Sequence, residues 1–373
     1  MADVVESIIG AAYLHGGFDL GCECIKFFDL GLKWQPLPTR IEQLLSRVVD
    51  PEETSYPRQL VDVESMLGYT FNHKLLLIEA LTHASYQQDQ HTSSYERMEF
   101  LGDSILDMIV TDFLYRAPGK EYSPGHMHLR KSAVVNAHFL AFICLRTCLQ
   151  FDASMPRPSP DSQEDQGPVR IEIAPDSQEI YLWQCLLHSS PRVLDDQSNT
   201  FTRFRKCKVE IEEALEQGTI FPWAALTRLQ APKFLSDMVE SLIGAIFLDS
   251  NGDMDCVKGV LRKTGIIQVL ERIVWDDVDI LHPVSRLSVW ASRNDKEIEY
   301  KFEKSKGNVS CIILVNGKEE ICETAVYRGT ASQDEVKFAA AEKAVHTFKL
   351  RDGNTKYVSK KKPKKKKKKV QAL

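Results

Sequence analysis

Apolar positions along residues 57–275 recur at helical spacing, and after about residue 298 they alternate instead. Residues 1–34 predict helix, ended by Gln35-Pro36-Leu37-Pro38, and 39–56 reads as a connector with helical character. In YERMEFLGDSILD (95–107), Met98, Phe100, Leu101, Ile105 and Leu106, followed by Ile109, fill most faces of a helix and mark it as buried. PKFLSDMVESLIGAIFLDSNG (232–252) predicts a second, strongly apolar helix. The stretch 154–179 is rich in Pro, Ser, Asp and Gln and reads as an exposed insertion, with 204–218 as a solvent-facing helix of the same excursion. His282-Pro283 then opens a helix through Trp290. IEYKFEK (298–304), VSCIILV (309–315) and EEICETAVY (319–327) alternate as strands. Asn316-Gly317 is a strong hairpin turn between the last two. A final helix follows, with Val336, Ala340, Ala344 and Phe348 on one face.

Composition alone would not single out a function. With 43% apolar residues, 373 residues can bury cores for two or three domains. No apolar run is long enough to cross a bilayer, and the N-terminus lacks the pattern of a signal peptide, so a cytoplasmic or nuclear location is expected and no membrane partner. Nine cysteines include no C-x-x-C; Cys144 and Cys148 at i, i+4 read as packing, and reduced thiols are expected. His126-x-His128 follows Pro124-Gly125 without a third ligand nearby and reads as a turn. The formal net charge is −5, yet residues 360–369 hold nine lysines; removing them from the 47 basic residues leaves 38 against 52 acidic, a net of −14. Any nucleic-acid contact by the acidic body must therefore use local basic patches. The tail reads as disordered, and a nuclear address, a phosphate-binding arm and an inert solvated end all fit it.

Candidate chemistry lies in the acids. Glu96, Glu99, Asp103 and Asp107 fall at i, i+3, i+7 and i+11, one stripe of an apolar helix. Asp237 and Glu240 form an i, i+3 pair on the second apolar helix. Carboxylates within a core are costly unless a cation neutralises them, which favours a divalent metal site over a solvated acidic face. Hard oxygen ligands suit Mg²⁺ and the hydrolysis of phosphodiesters.

The same stretches carry a family resemblance. ERMEFLGDSILD resembles the ribonuclease III signature, VESMLGYTFNHKLLLIEALTHASY (63–86) the family's opening helices, PGHMHLRKSAVVNAHFLA (124–141) its middle, and PKFLSDMVESLIGAIFLDS its closing catalytic helix. These blocks stand in family order over roughly two hundred residues. The resemblance implies metal ligands at Glu99, Asp103, Asp237 and Glu240, a further acid at Glu96, and at Lys233 the lysine that eukaryotic members carry. It also implies Mg²⁺, with Mn²⁺ as a substitute, and cleavage of double-stranded RNA to short duplexes with 3′ overhangs and 5′ phosphates. Pairing with a second ribonuclease III domain follows, as a homodimer through this chain's complete domain or with another such domain.

An internal repeat sets ADVVESIIGAAYLHGG (2–17) over SDMVESLIGAIFLDSNG (236–252), with Asp3 over Asp237 and Glu6 over Glu240. Two closing helices with one signature helix resemble the C-terminal part of a fungal-type Dicer-like endoribonuclease without helicase, PAZ-like module or most of its first ribonuclease III domain. The expected architecture is mainly α. A remnant of a first domain at 1–34 and a linker at 35–56 precede an all-α ribonuclease III endonuclease domain at 57–275. A small α-β-β-β-α unit at 280–351 is similar to a double-stranded RNA-binding domain, and 352–373 is the tail. That last unit departs from its family: Gln333 and Asp334 stand where lysines usually open the final helix, leaving Lys337 as a weak RNA contact. Weak RNA binding and protein contact are both open for it. The competing functional class is a non-catalytic RNA-binding or scaffold protein, or an inactive Dicer fragment.

Overall fold

A computed structural model describes residues 1–31, 35–46, 56–86, 93–158 and 171–350; the lysine tail and the centre of the 154–179 insertion lie outside them. The chain opens with α1 (Ala2–Phe27), which bends at Gly16-Gly17, where Gly17 takes φ 70°. Only Gly21 of this helix is buried. After α2 (Leu37–Leu45) and α3 (Gln59–Leu67), the turn at Gly68 takes a left-handed φ of 67° that suits glycine at a helix end. The chain continues through α4 (Lys74–Leu81) into α5 (Glu96–Arg116).

Next come α6 (Pro124–Val134) and α7 (Ala137–Arg146), capped by Ser123 and Asn136, whose side chains accept the His126 and Phe139 amides. The histidine pair is thus helical: Pro124 takes the first-turn position and His126 and His128 follow on α6, which corrects the turn reading. The flanks of the 154–179 stretch form an antiparallel ribbon, β1 (Cys148–Pro158) with β2 (Ile171–Tyr181), pairing Cys148 with Tyr181 and Pro158 with Ile171. A ribbon within the otherwise helical region was not expected from its polar composition. A 3₁₀ turn at Leu182–Cys185 leads to α8 (Pro191–Glu216). This helix starts thirteen residues before the predicted solvent-facing segment and buries Val193, Phe204, Ile211 and Leu215. It is an amphipathic core helix, because its apolar residues keep one face over seven turns.

The short α9 (Trp223–Thr227) precedes α10 (Phe234–Asp249), every residue of which is buried. Helices α11 (Met254–Lys263) and α12 (Ile266–Trp275) follow, the first capped by Asp253 accepting the Asp255 and Cys256 amides. One apolar core runs from Ile41 to Ile280 and unites these helices. At its centre α5 and α10 cross at glycines: a Cβ on Gly102 would lie 1.7 Å from the Glu240 carbonyl oxygen, and one on Gly244 2.2 Å from that of Met98. Only glycine permits this approach. The C-terminal end of α10 is fixed by buried Asp249, which accepts from the Tyr69 hydroxyl at 2.8 Å and the Asn72 and His73 amides at 2.9 and 2.7 Å.

A second, smaller core runs from Leu287 to Val345. Around it lie α13 (Pro283–Arg293), a three-stranded antiparallel sheet of β3 (Ile298–Ser305), β4 (Asn308–Val315) and β5 (Lys318–Val326), and α14 (Thr330–Thr347). Asn316 and Gly317 take φ 51° and 75° in the predicted hairpin turn. Val336, Ala340 and Ala344 are buried in this core, and Phe348 stacks on Trp290 with centroids 5.0 Å apart. The fold is mainly α, with the α-β-β-β-α order expected for the C-terminal unit.

Candidate metal centre

The glycine crossing brings the acids of α5 and α10 face to face. Carboxylate oxygens of Glu99, Asp237 and Glu240 lie within 4.8 Å of one another. Asp237 and Glu240 are 5% and 9% exposed. Lys233, the residue before α10, reaches across the gap: its ammonium donates to Glu99 Oε1 at 2.7 Å and Asp237 Oδ1 at 2.6 Å. Burial opposes its charge, but these two hydrogen bonds outweigh burial and raise its pKa.

Glu240 carries the electrostatic conflict. It forms no ion pair among the described residues, and burial, followed by the charges of Asp103, Asp237 and Glu99, pushes its pKa up to about 8. Asp237 is also raised, by burial, with Lys233 and the Tyr95 hydroxyl pulling the other way. Asp103, one turn beyond Glu99, is exposed and lies outside the close trio, yet its charge is the strongest of those acting on Glu240. Its own pKa is raised by burial and by Asp107.

The remaining expected residues fall around this centre. Glu96 is exposed and accepts the Ser94 hydroxyl at 3.0 Å. Asp107, the end of the acid stripe, pairs with Lys131 at 2.5 Å. Phe100, expected to help bury α5, is instead 79% exposed, beside Glu99. Asp3 and Glu6 are exposed on α1, away from the buried environment of their counterparts. Lys337 sits over the Tyr300 ring, 5.2 Å from its centroid. Sequence reading passed over Tyr95, whose hydroxyl donates to Asp237 Oδ2 at 3.3 Å and whose ring packs 5.9 Å from that of His83. Its signal was a polar-tipped aromatic immediately before the acidic helix.

The donor set is wholly carboxylate oxygen with the Lys233 ammonium bonded beside it, which fits a hard divalent cation and not a soft one. A buried glutamate without an ion-pair partner among the described residues, crowded by three other acids, is the feature such a cation relieves.

This arrangement of crossed acidic helices is that of a ribonuclease III domain: residues 96–251 match the family model described as "Ribonuclease III domain". The chain thus carries a ribonuclease III domain. Within it, the chain is similar to Dicer-like protein 2 of fungi. It is 35% identical to the protein of that name from Coccidioides immitis over 356 residues, 94% of this chain and 24% of that protein. It is 38% identical to that from Emericella nidulans over 299 residues, 78% of this chain and 20% of that protein. The chain therefore spans about a quarter of the length of these relatives. Among solved structures, the nuclease domain of ribonuclease III from Campylobacter jejuni aligns with 59% of this chain and 98% of its own, at 22% identity and a TM-score of 0.32.

Proposed function

We propose that this chain is a Mg²⁺-dependent endoribonuclease that hydrolyses double-stranded RNA into short duplexes, as in RNA silencing or RNA processing. The observation that carries the reading is the meeting of Glu99, Asp237 and Glu240 within 4.8 Å, with Glu240 in no ion pair among the described residues. Glu99, Asp103, Asp237 and Glu240 would hold the metal. When bound, Mg²⁺ or Mn²⁺ would lower the pKa of a ligated water and neutralise charge on the phosphodiester. The protein's own residues set the stage for that chemistry. The α5–α10 glycine crossing fixes the spacing of the acids. Tyr95 orients Asp237, and Lys233 is bonded to Glu99 and Asp237 while its side chain stays 70% exposed, within reach of an approaching phosphate. Such a site reads backbone geometry and not base sequence.

The reading includes pairing. Phe100, 79% exposed beside Glu99, and Tyr115, 58% exposed about four turns further along α5, leave apolar surface that a second ribonuclease III domain would cover. A homodimer through this domain gives two acidic centres for the two strands of a duplex. Incubating the purified chain with end-labelled duplex RNA, with Mg²⁺ and with chelator, tests the activity: metal-dependent short duplex products are expected, and intact substrate at saturating Mg²⁺ would refute it.

A further inference from the structure

The helix that departs from the RNA-binding pattern is docked on the nuclease core. Phe338 of α14 packs edge-on against His282, the cap of α13 in its own domain, centroids 4.2 Å apart at 78°, and reaches His138 of α7 in the nuclease at 6.2 Å. His282 in turn meets Trp223 of α9 at 4.9 Å, and the Trp223 indole donates to the Ile280 carbonyl at 3.1 Å. Phe338 is outside the apolar core of its own domain, so its ring serves this contact.

The charges of α14 suit the same surface. Glu335 accepts the Gln230 amide and lies within electrostatic reach of Arg203, an attraction that the nearby Arg328 of the same domain opposes. Asp334 faces His138, and Glu342 faces Arg228. Glu335 and Glu342 therefore lie beside arginines of the nuclease, and Asp334 beside the buried His138. Lys337, the one surviving lysine of that pattern, is turned onto Tyr300 of its own sheet.

What α14 grips is the approach to the acidic centre. Gln230 takes φ 45°, a left-handed conformation unfavourable for a residue with a side chain, so something must hold it. Arg203 accepts that task from one side, donating to the Leu229 and Gln230 carbonyls at 2.7 and 3.3 Å. Glu335 holds the Gln230 side chain from the other. Three residues later comes Lys233, which bridges Glu99 and Asp237, and then α10.

We propose that the C-terminal domain is a brace in cis: α14 holds the turn at 228–230 and thereby positions Lys233 and the start of α10. Glu335 and Phe338 are positioning residues, and the domain contributes to turnover more than to RNA affinity. The activity arm of its test rests on the nuclease reading above; the structural arm does not.

The test uses the full chain, Phe338→Asp and Glu335→Ala, the latter a surface change that leaves both cores intact. Hydrogen exchange is followed at 228–237, and kcat and KM are measured on duplex RNA at saturating Mg²⁺. Exchange in this segment should quicken by about tenfold as the turn is released. A small misplacement of Lys233 should lower kcat by roughly tenfold, with KM moving less than about twofold. Unchanged exchange in both variants would overturn the brace, and so would a loss confined to KM, which would assign the domain to RNA binding. Should the unsubstituted chain prove inactive, the nuclease reading fails and exchange alone decides the brace.

Discussion

Glu240 faces Asp103, Asp237 and Glu99 from a buried position, and its pKa of about 8 against an ordinary 4.5 has a consequence for stability. Between those values the folded metal-free protein binds the proton that the unfolded chain has lost. The contribution of this group is therefore fully present below about pH 4.5 and declines as pH rises through 8. Thermal melts in chelator should show falling Tm over this window, Mg²⁺ should restore stability at pH 8, and Glu240→Gln should flatten the profile. The same substitution should abolish metal-dependent cleavage while leaving Tm unchanged or raised, since one of several crowded carboxylates is gone. A steep pH dependence surviving in Glu240→Gln would move the conflict to another acid. Substituting Asp3 or Glu6, which are exposed on α1, should leave activity essentially unaltered in the same assay. At this scale the candidate cluster is largely legible in the sequence: the i, i+3 acid pair on an apolar helix marks Asp237 and Glu240, which meet Glu99 in the fold. Tyr95 was not, because a hydroxyl's reach across to another helix depends on tertiary contact. The exposure of Phe100 was not legible either, since periodicity counts an apolar residue as buried whatever covers it.

At the scale of elements, the repeated sequence in α1 and α10 meets two different fates. Gly244 of α10 lies against the Met98 carbonyl, so Gly244→Ala would force the α5–α10 crossing apart; a loss of about 1–3 kcal/mol or more is expected, together with loss of metal-dependent activity. Its counterpart Gly10 has no atom within 4 Å of an added Cβ. Gly10→Ala should be neutral or stabilise by up to about 1 kcal/mol through helix propensity. Denaturant unfolding of the two variants checks both; equal effects would mean that the crossing is not what requires glycine. The helices and the C-terminal strands followed from periodicity and turn chemistry, as Asn316-Gly317 illustrates. The polar flanks of the 154–179 stretch hid the β1–β2 ribbon, because two-stranded pairing leaves little hydrophobic signature. The first half of α8, PRVLDDQSNTFTR, is mostly polar, with Val193 on its buried stripe, so hydrophobic periodicity alone does not mark it as helix.

For the whole molecule, the reading depends on partners. The exposed Phe100 and Tyr115 predict association through α5, and sedimentation at micromolar concentration should give a dimer that Phe100→Asp converts to monomer. A monomeric unsubstituted chain at that concentration would refute the homodimer. The acidic body and the docked α14 leave the lysine tail as the main source of non-specific RNA affinity, so deleting 360–373 should weaken binding and flatten its dependence on salt. An unchanged salt slope would assign the tail another role. The most direct test of the central claim is a single side-by-side assay: labelled duplex RNA incubated with the full chain and with Glu240→Gln, each at saturating Mg²⁺ and in chelator. The account predicts short duplex products only from the unsubstituted chain with Mg²⁺; equal cleavage by the Glu240→Gln protein would contradict it.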